Sequence, residues 1–216
     1  KFHGIHLDYF RYKDSMYGYN YIGRKLFYDR HNIDPIYLNK NTSSNNFELN
    51  DSIHVIKNKW VDFKNSHIDS LIKGLNGLIT NYNEIKSKDI KLSVAVKPDI
   101  YEAKIRWNQN WDKWLNNDFI DFAVVMNYYS DTESFSNNLW NIYKYFYSSK
   151  NINNIYIGIN TIEQNLGKTR LKDVDLIKQQ VQNTKDFSFP GVAIFSSEYY
   201  NFNPTLYLEI FSEGKK

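Results

Sequence analysis

The sequence predicts an α/β fold of the (β/α) barrel type, and three observations lead there. Five short apolar segments alternate with longer helical or loop-plus-helix stretches at intervals of about 30 residues, the pattern of βα units around a parallel sheet. A glycine-rich phosphate turn is missing after the first segment, where Gly4 is the only glycine before Gly18, so an open nucleotide-binding sheet is disfavoured. Polar and ionisable residues fall at the carboxyl ends of several different segments, where a barrel gathers its functional side chains.

The predicted strands are Gly4 to Tyr9, Lys91 to Lys97, Phe119 to Tyr128, Ile155 to Asn160 and Gly191 to Ser196. Between the first two, Ile68, Leu71, Ile72, Leu75, Leu78, Ile79 and Tyr82 recur at three- and four-residue steps and define one amphipathic helix. Trp107, Trp111, Trp114 and Leu115 predict a shorter helix after the second strand, and Phe135, Leu139, Ile142, Tyr143 and Phe146 one after the third. Val174, Ile177 and Val181 support a helix that Asp173 opens as N-cap, and Asn203 to Phe211 could begin another with Pro204 in its first turn. The stretch from Tyr12 to Asp51 is read as a long loop, ordered and aromatic at first and then a mobile tip over Asn39 to Asn46. No linker or second composition class divides residues 1–216, which are read as a single domain.

Composition narrows the function classes. The chain of 216 residues carries a net charge of +3 with its charges scattered singly, so no nucleic-acid groove is marked. It has no cysteine, which excludes disulfides, thiolate metal sites and cysteine nucleophiles. His31, His54 and His67 show no metal-ligand spacing, and neither a metal nor another cofactor is expected. No apolar run approaches the roughly 20 residues of a membrane span. Aromatic residues make up 17% of the chain, and Tyr and Trp in loops suit surfaces that present a flat apolar face with a polar edge.

The run His6-Leu7-Asp8-Tyr9-Phe10-Arg11 carries the most chemistry. Strand alternation puts Ile5 and Leu7 on one face and His6 and Asp8 on the other, and two ionisable groups there are costly unless a site uses them. The longer run Gly4 to Tyr12 resembles the Gly-Ile-His-Leu-Asp-Tyr-Ile-Arg-Tyr-Pro signature of the glycosyl hydrolase-like family 10 proteins, also called the DUF187 family, which are bacterial (β/α)8 barrels. Four further stretches resemble that family in order and spacing. They are Leu92 to Pro98, the Gln-x-Trp-x-x-Trp-Leu pattern at Gln109 to Leu115, Ile120-Asp121-Phe122 leading to Met126-Asn127-Tyr128, and Gly191 to Ser196. The chain departs from the family at Lys13 and at Val124-Val125, where proline is usual, so both loops there are expected to be more flexible.

The resemblance implies the carboxyl-terminal part of the barrel, about five of eight units. The sequence is then an excerpt, or a partner chain supplies the remaining half; an excerpt is the expected reading. It further implies a bacterial cell-wall or matrix polysaccharide as substrate, cleaved at O-glycosidic bonds by carboxylate acid/base catalysis in a periplasmic, secreted or cell-surface setting. Asp8 and Glu198 are the expected catalytic carboxylates, with Asp99 and Asp131 as lesser candidates. His6, Arg11, Lys97, Asn127, Tyr128 and Asn160 are the expected substrate contacts; Asn127 is placed on the inward face with Ala123 and Val125. Two other functions fit the same barrel: a non-catalytic carbohydrate-binding protein that has lost one carboxylate, and a lyase or aldolase using Lys97 as a Schiff-base amine.

Overall fold

The computed structural model of the chain describes residues 2–39, 47–165, 168–196, 204–205 and 210. Its strands are β1 (Gly4–Leu7), β2 (Lys91–Val96), β3 (Phe122–Met126), β4 (Ile155–Asn160), β5 (Ile162–Asn165), β6 (Lys168–Leu171) and β7 (Val192–Phe195). β1, β2, β3, β4 and β7 lie side by side in that order in one curled, all-parallel sheet, while β5 and β6 form a separate antiparallel hairpin. The helices are α1 (Tyr21–His31), α2 (Phe47–Lys86), α3 (Ile100–Arg106), α4 (Trp111–Asn116), α5 (Thr132–Phe146) and α6 (Val174–Asp186).

The register sorts the side chains into two layers. His6 stands opposite Ser93, Val94 opposite Ala123, Val125 opposite Ile157, and Asn160 opposite Phe195. Leu92, Val94, Val96, Ala123, Val125, Ile155, Ile157 and Ile159 therefore face the helices, where they are buried against Ile72, Trp111, Trp114, Leu139, Phe146 and Ile177. The opposite, concave face carries His6, Ser93, Ala95, Phe122, Tyr156, Gly158 and Ala193. Parallel strands covered on one side by crossover helices give a half-barrel of five strands, with β1 and β7 at its edges.

Among the described residues the β1 edge is apolar as well as unpaired. Ile5, Leu7, Leu75, Leu78, Ile79 and Tyr82 line a groove of about 360 Å³ between β1 and α2, and Leu78 is 68% exposed. A surface of this kind in water is expensive unless another element lies on it.

The five expected strands and the helix capped by Asp173 are present; the Asp173 side chain accepts from Asp175 N–H at 2.8 Å. Three features depart from the sequence reading. The predicted long loop holds α1, which packs Phe27 against Trp60 and Phe63, and α2 starts at Phe47 and runs 40 residues. The helix expected over the tryptophans is two short helices, α3 and α4, separated by Asn108, a buried residue with φ 53. The β5–β6 hairpin was not anticipated. The polar tract over Asn39 to Asn46 and the helix expected from Asn203 lie mostly outside the described residues.

Candidate active site

Asp8 follows β1 directly. The next residue, Tyr9, has φ 53, and the chain reverses there, with Arg11 N–H donating to Tyr9 C=O at 2.7 Å. Asp8 Oδ1 accepts from Tyr9 N–H at 2.7 Å, which fixes the carboxylate at the rim while leaving it exposed. No ion pair joins Asp8 to Arg11 among the described residues, so a purely structural Asp8–Arg11 pair is not what holds this strand end.

His6 sits two residues earlier on the same face. Its Nδ1 lies 2.9 Å from Ser93 Oγ, so β2 orients the ring. Burial lowers the imidazole pKa below its ordinary 6.5, and the nearby Asp8 charge opposes that only in part, so the ring is neutral at pH 7. Tyr128 arrives from the end of β3. Its ring passes over Gly158, where a Cβ would meet Tyr128 Cε1 at 3.4 Å and Val125 C=O at 3.0 Å, and it stacks on Phe195 at 5.8 Å between centroids. Burial, with Asp8 and Tyr9 nearby, pushes the Tyr128 phenol up to about 12, so it stays protonated and can donate a hydrogen bond.

Lys97 continues the concave row of Ser93 and Ala95, and its Nζ lies 4.8 Å from the Trp107 ring centroid. Burial, and then the Arg11 and Arg106 charges, lower its pKa. Arg11 is half-buried. Its guanidinium lies 5.1 Å from the Tyr9 ring and reaches Tyr12 C=O at 3.4 Å from Nη1, while its Nε is shut from solvent without a partner.

One buried side chain positions these strand ends. Gln109 Nε2 donates to Ala95 C=O at 2.9 Å and reaches Phe10 C=O at 3.4 Å, and Gln109 Oε1 accepts from Lys97 N–H at 2.8 Å. Trp111 Nε1 donates to Lys97 C=O at 3.1 Å, and Tyr12 N–H donates to Trp107 C=O at 3.0 Å. Gln109 and Trp111 belong to the motif over Gln109 to Leu115, and neither is among the site residues expected from the sequence. Their fixed spacing ahead of a helix was the available signal.

Two expected contacts, Asn127 and Asn160, are placed differently, and one expected catalytic carboxylate lies outside the described residues. Asn127 follows Ala123 and Val125 onto the helix face, not the cleft, because those two are buried under the helices and the alternation carries Asn127 with them. Its Nδ2 donates to Phe135 C=O at 3.2 Å and its Oδ1 accepts from Asn138 at 3.0 Å. Asn160 has both amide ends engaged, donating to Ile162 C=O at 2.6 Å and accepting from Lys172 Nζ at 2.7 Å, so it ties the hairpin to β4. Asp99 and Asp131 cap α3 and α5 through Glu102 and Ser134 N–H, each at 2.7 Å. Glu198 lies outside the described residues.

The arrangement brings an exposed carboxylate, a neutral imidazole, a protonated phenol and two cations to the carboxyl end of a parallel half-barrel. It can donate or accept a proton and bind hydroxyl or anionic groups there. Among the described residues no group of three His, Asp or Glu side chains could hold a metal ion, and no described helix is long and apolar enough to cross a membrane.

The fold is similar to part of a glycoside hydrolase domain. The chain is similar to the PgaB (BpsB) glycoside hydrolase domain from Bordetella bronchiseptica, with a TM-score of 0.66 at 10% sequence identity, covering 97% of this chain and 56% of that one. It therefore spans about half of that neighbour's length. A weaker likeness, at a TM-score of 0.40 and 12% identity, covers 65% of this chain and 42% of the spore cortex-lytic enzyme SleL from Bacillus megaterium QM B1551. No protein-family model and no curated protein matches the sequence.

Proposed function

We propose that the chain carries the carboxyl-terminal part of a glycoside hydrolase-like barrel, of the glycosyl hydrolase-like family 10 type, that cleaves O-glycosidic bonds in a bacterial wall or matrix polysaccharide. The observation that carries this is Asp8: an exposed carboxylate without an ion-pair partner among the described residues, at the carboxyl end of β1, beside His6 and Tyr128, in a fold shared with a glycoside hydrolase domain. In this reading Asp8 is the principal carboxylate, Tyr128 and His6 bind and orient the sugar beside it, and Glu198 is the second carboxylate. A separation near 5 Å between the two carboxyls would give a retaining reaction, and a wider one an inverting reaction. Further βα units, on the same or a partner chain, would lie on the β1 edge and its apolar groove, and the protein would act at the cell surface, in the periplasm or after secretion.

Asp8→Asn tests the assignment. Asn keeps the bond to Tyr9 N–H, so melting is unchanged, while release of reducing ends from the polymer falls by about a hundredfold or more. Full activity in that variant overturns the role of Asp8. Calorimetric binding of the glycan by the wild type, without any release of reducing ends, assigns the protein instead to carbohydrate binding.

A further inference from the structure

Two cations without an ion pair among the described residues stand on the rim formed by the ends of β1 and β2. Arg11 belongs to the turn after β1 and Lys97 ends the concave row of the neighbouring strand β2. Both are half-buried, and they are close enough for the Arg11 charge to disfavour a charged Lys97. Neither forms an ion pair among the described residues. Among the described residues the Arg11 side chain contacts a ring at 5.1 Å and makes a long bond to one carbonyl, with Nε buried and unpartnered, and the Lys97 ammonium contacts the Trp107 ring at 4.8 Å. Glu102 is near enough to favour a charged Lys97, but among the described residues none of the nearby carboxylates is bonded to either cation. Asp14 and Glu102 are both taken by Arg106, at 2.9 Å each, and Asp8 is bonded to Tyr9 N–H.

Two like charges held together, partly out of water, repel one another and each loses hydration. Such a pair is stable when an anion lies between them, and a guanidinium fork beside an ammonium suits a carboxylate, which accepts from both. Arg11 lies three residues after Asp8, in the turn that follows β1, so an anion seated between the two cations would lie on the same rim as Asp8.

We propose that Arg11 and Lys97 form a subsite for a carboxylate-bearing sugar, so that the polysaccharide acted on is acidic and its carboxylate orients it against Asp8. The inference rests on the glycoside hydrolase reading above for the role of Asp8, and the following experiment separates the two. The probes are peptide-free glycan strands of bacterial cell wall, the same strands with their carboxylates converted to methyl esters, and a phosphodiester wall polymer. Binding is measured by calorimetry and cleavage by release of reducing ends, in the wild type and in Asp8→Asn, Arg11→Gln, Lys97→Gln, Lys97→Arg and the double variant Arg11→Gln/Lys97→Gln.

The wild type is expected to bind the acidic strands about 10- to 100-fold more tightly than the esterified ones, as for charge-assisted hydrogen bonds. The preference shrinks in each Gln variant, disappears in the double variant, persists in Lys97→Arg, and weakens with added salt. Lys97→Arg keeps the test valid if the double variant fails to fold. Equal affinity for acidic and esterified strands overturns the proposal, as do a preference that survives in the double variant and tight binding of the phosphodiester polymer alone. Asp8→Asn is expected to keep the carboxylate preference while losing cleavage. Cleavage retained in Asp8→Asn alongside an intact preference removes the catalytic reading and leaves the subsite standing.

Discussion

Tyr9 at φ 53 costs a non-glycine residue roughly 1 kcal/mol, and the strain sits between the two residues that matter most at the β1 rim. It turns the chain so that Asp8 stays exposed with one backbone bond while Arg11 is carried back toward Lys97. Asn127 illustrates the opposite case, a polar side chain spent wholly on structure. Its buried amide joins β3 to α5 through Phe135 C=O and Asn138, so Asn127→Ala leaves those groups unsatisfied and destabilises by about 2 kcal/mol, seen as a lower urea midpoint with glycan binding unchanged. Strand alternation made the concave placement of His6 and Lys97 legible, because polar or small residues mark that face of β1 and β2. On β3 the apolar side chains occupy both faces, and nothing in the pattern distinguishes cleft from helix layer, so the concave face expected for Asn127 differs from the helix layer in which it lies.

At the level of elements, α2 is held to the loop after β1 by Lys64. This lysine is buried, donates to Ser15 C=O at 3.2 Å and Tyr17 C=O at 3.4 Å, and lies within 6 Å of the rings of Tyr12, Tyr19 and Trp60. Gly18, at φ 99, leaves room for it, since a Cβ there would meet Lys64 Cδ and Tyr12 Cε1 at 2.9 Å. Burial lowers the Lys64 pKa from 10.5 to about 8. The folded state therefore releases a proton that the unfolded chain keeps between those pH values, and stability rises from about pH 8 toward 10.5, by an amount on the order of 2 kcal/mol. Denaturant midpoints measured from pH 7 to 10 are expected to climb in the wild type and to climb less in Lys64→Met, where the lowered pKa of Lys97 still contributes. The part of this region that escaped the sequence reading, α1, has no acidic residue in its first turn and lacks a clear apolar stripe; it is fixed by the packing of Phe27 onto α2, which no local pattern announces. The main stripe of α2, from Ile68 to Tyr82, was legible because the covering of the sheet requires it.

Over the whole molecule, the five parallel strands and their order follow from the spacing of apolar segments, and the half-barrel they form spans about half the length of its structural neighbour. The apolar groove beside β1 is a measurable feature of that half-barrel. The 216-residue chain alone is expected to self-associate through this face, seen as concentration-dependent sedimentation. Leu78→Glu should reduce the association while moving the melting temperature little, because Leu78 is already mostly exposed. Sedimentation that is identical for the wild type and Leu78→Glu at every concentration would show that the groove is not the sticky surface.

The Gln109 clasp carries one further implication. Because a single amide reads both strand ends, the spacing between the Asp8 rim and the Lys97 rim is set inside the protein and not by the loops above it. Exposed side chains of the tyrosine-rich stretch, such as Tyr21 and Tyr28 on α1, take no part in the clasp, so changes there leave the spacing of the two rims as it is.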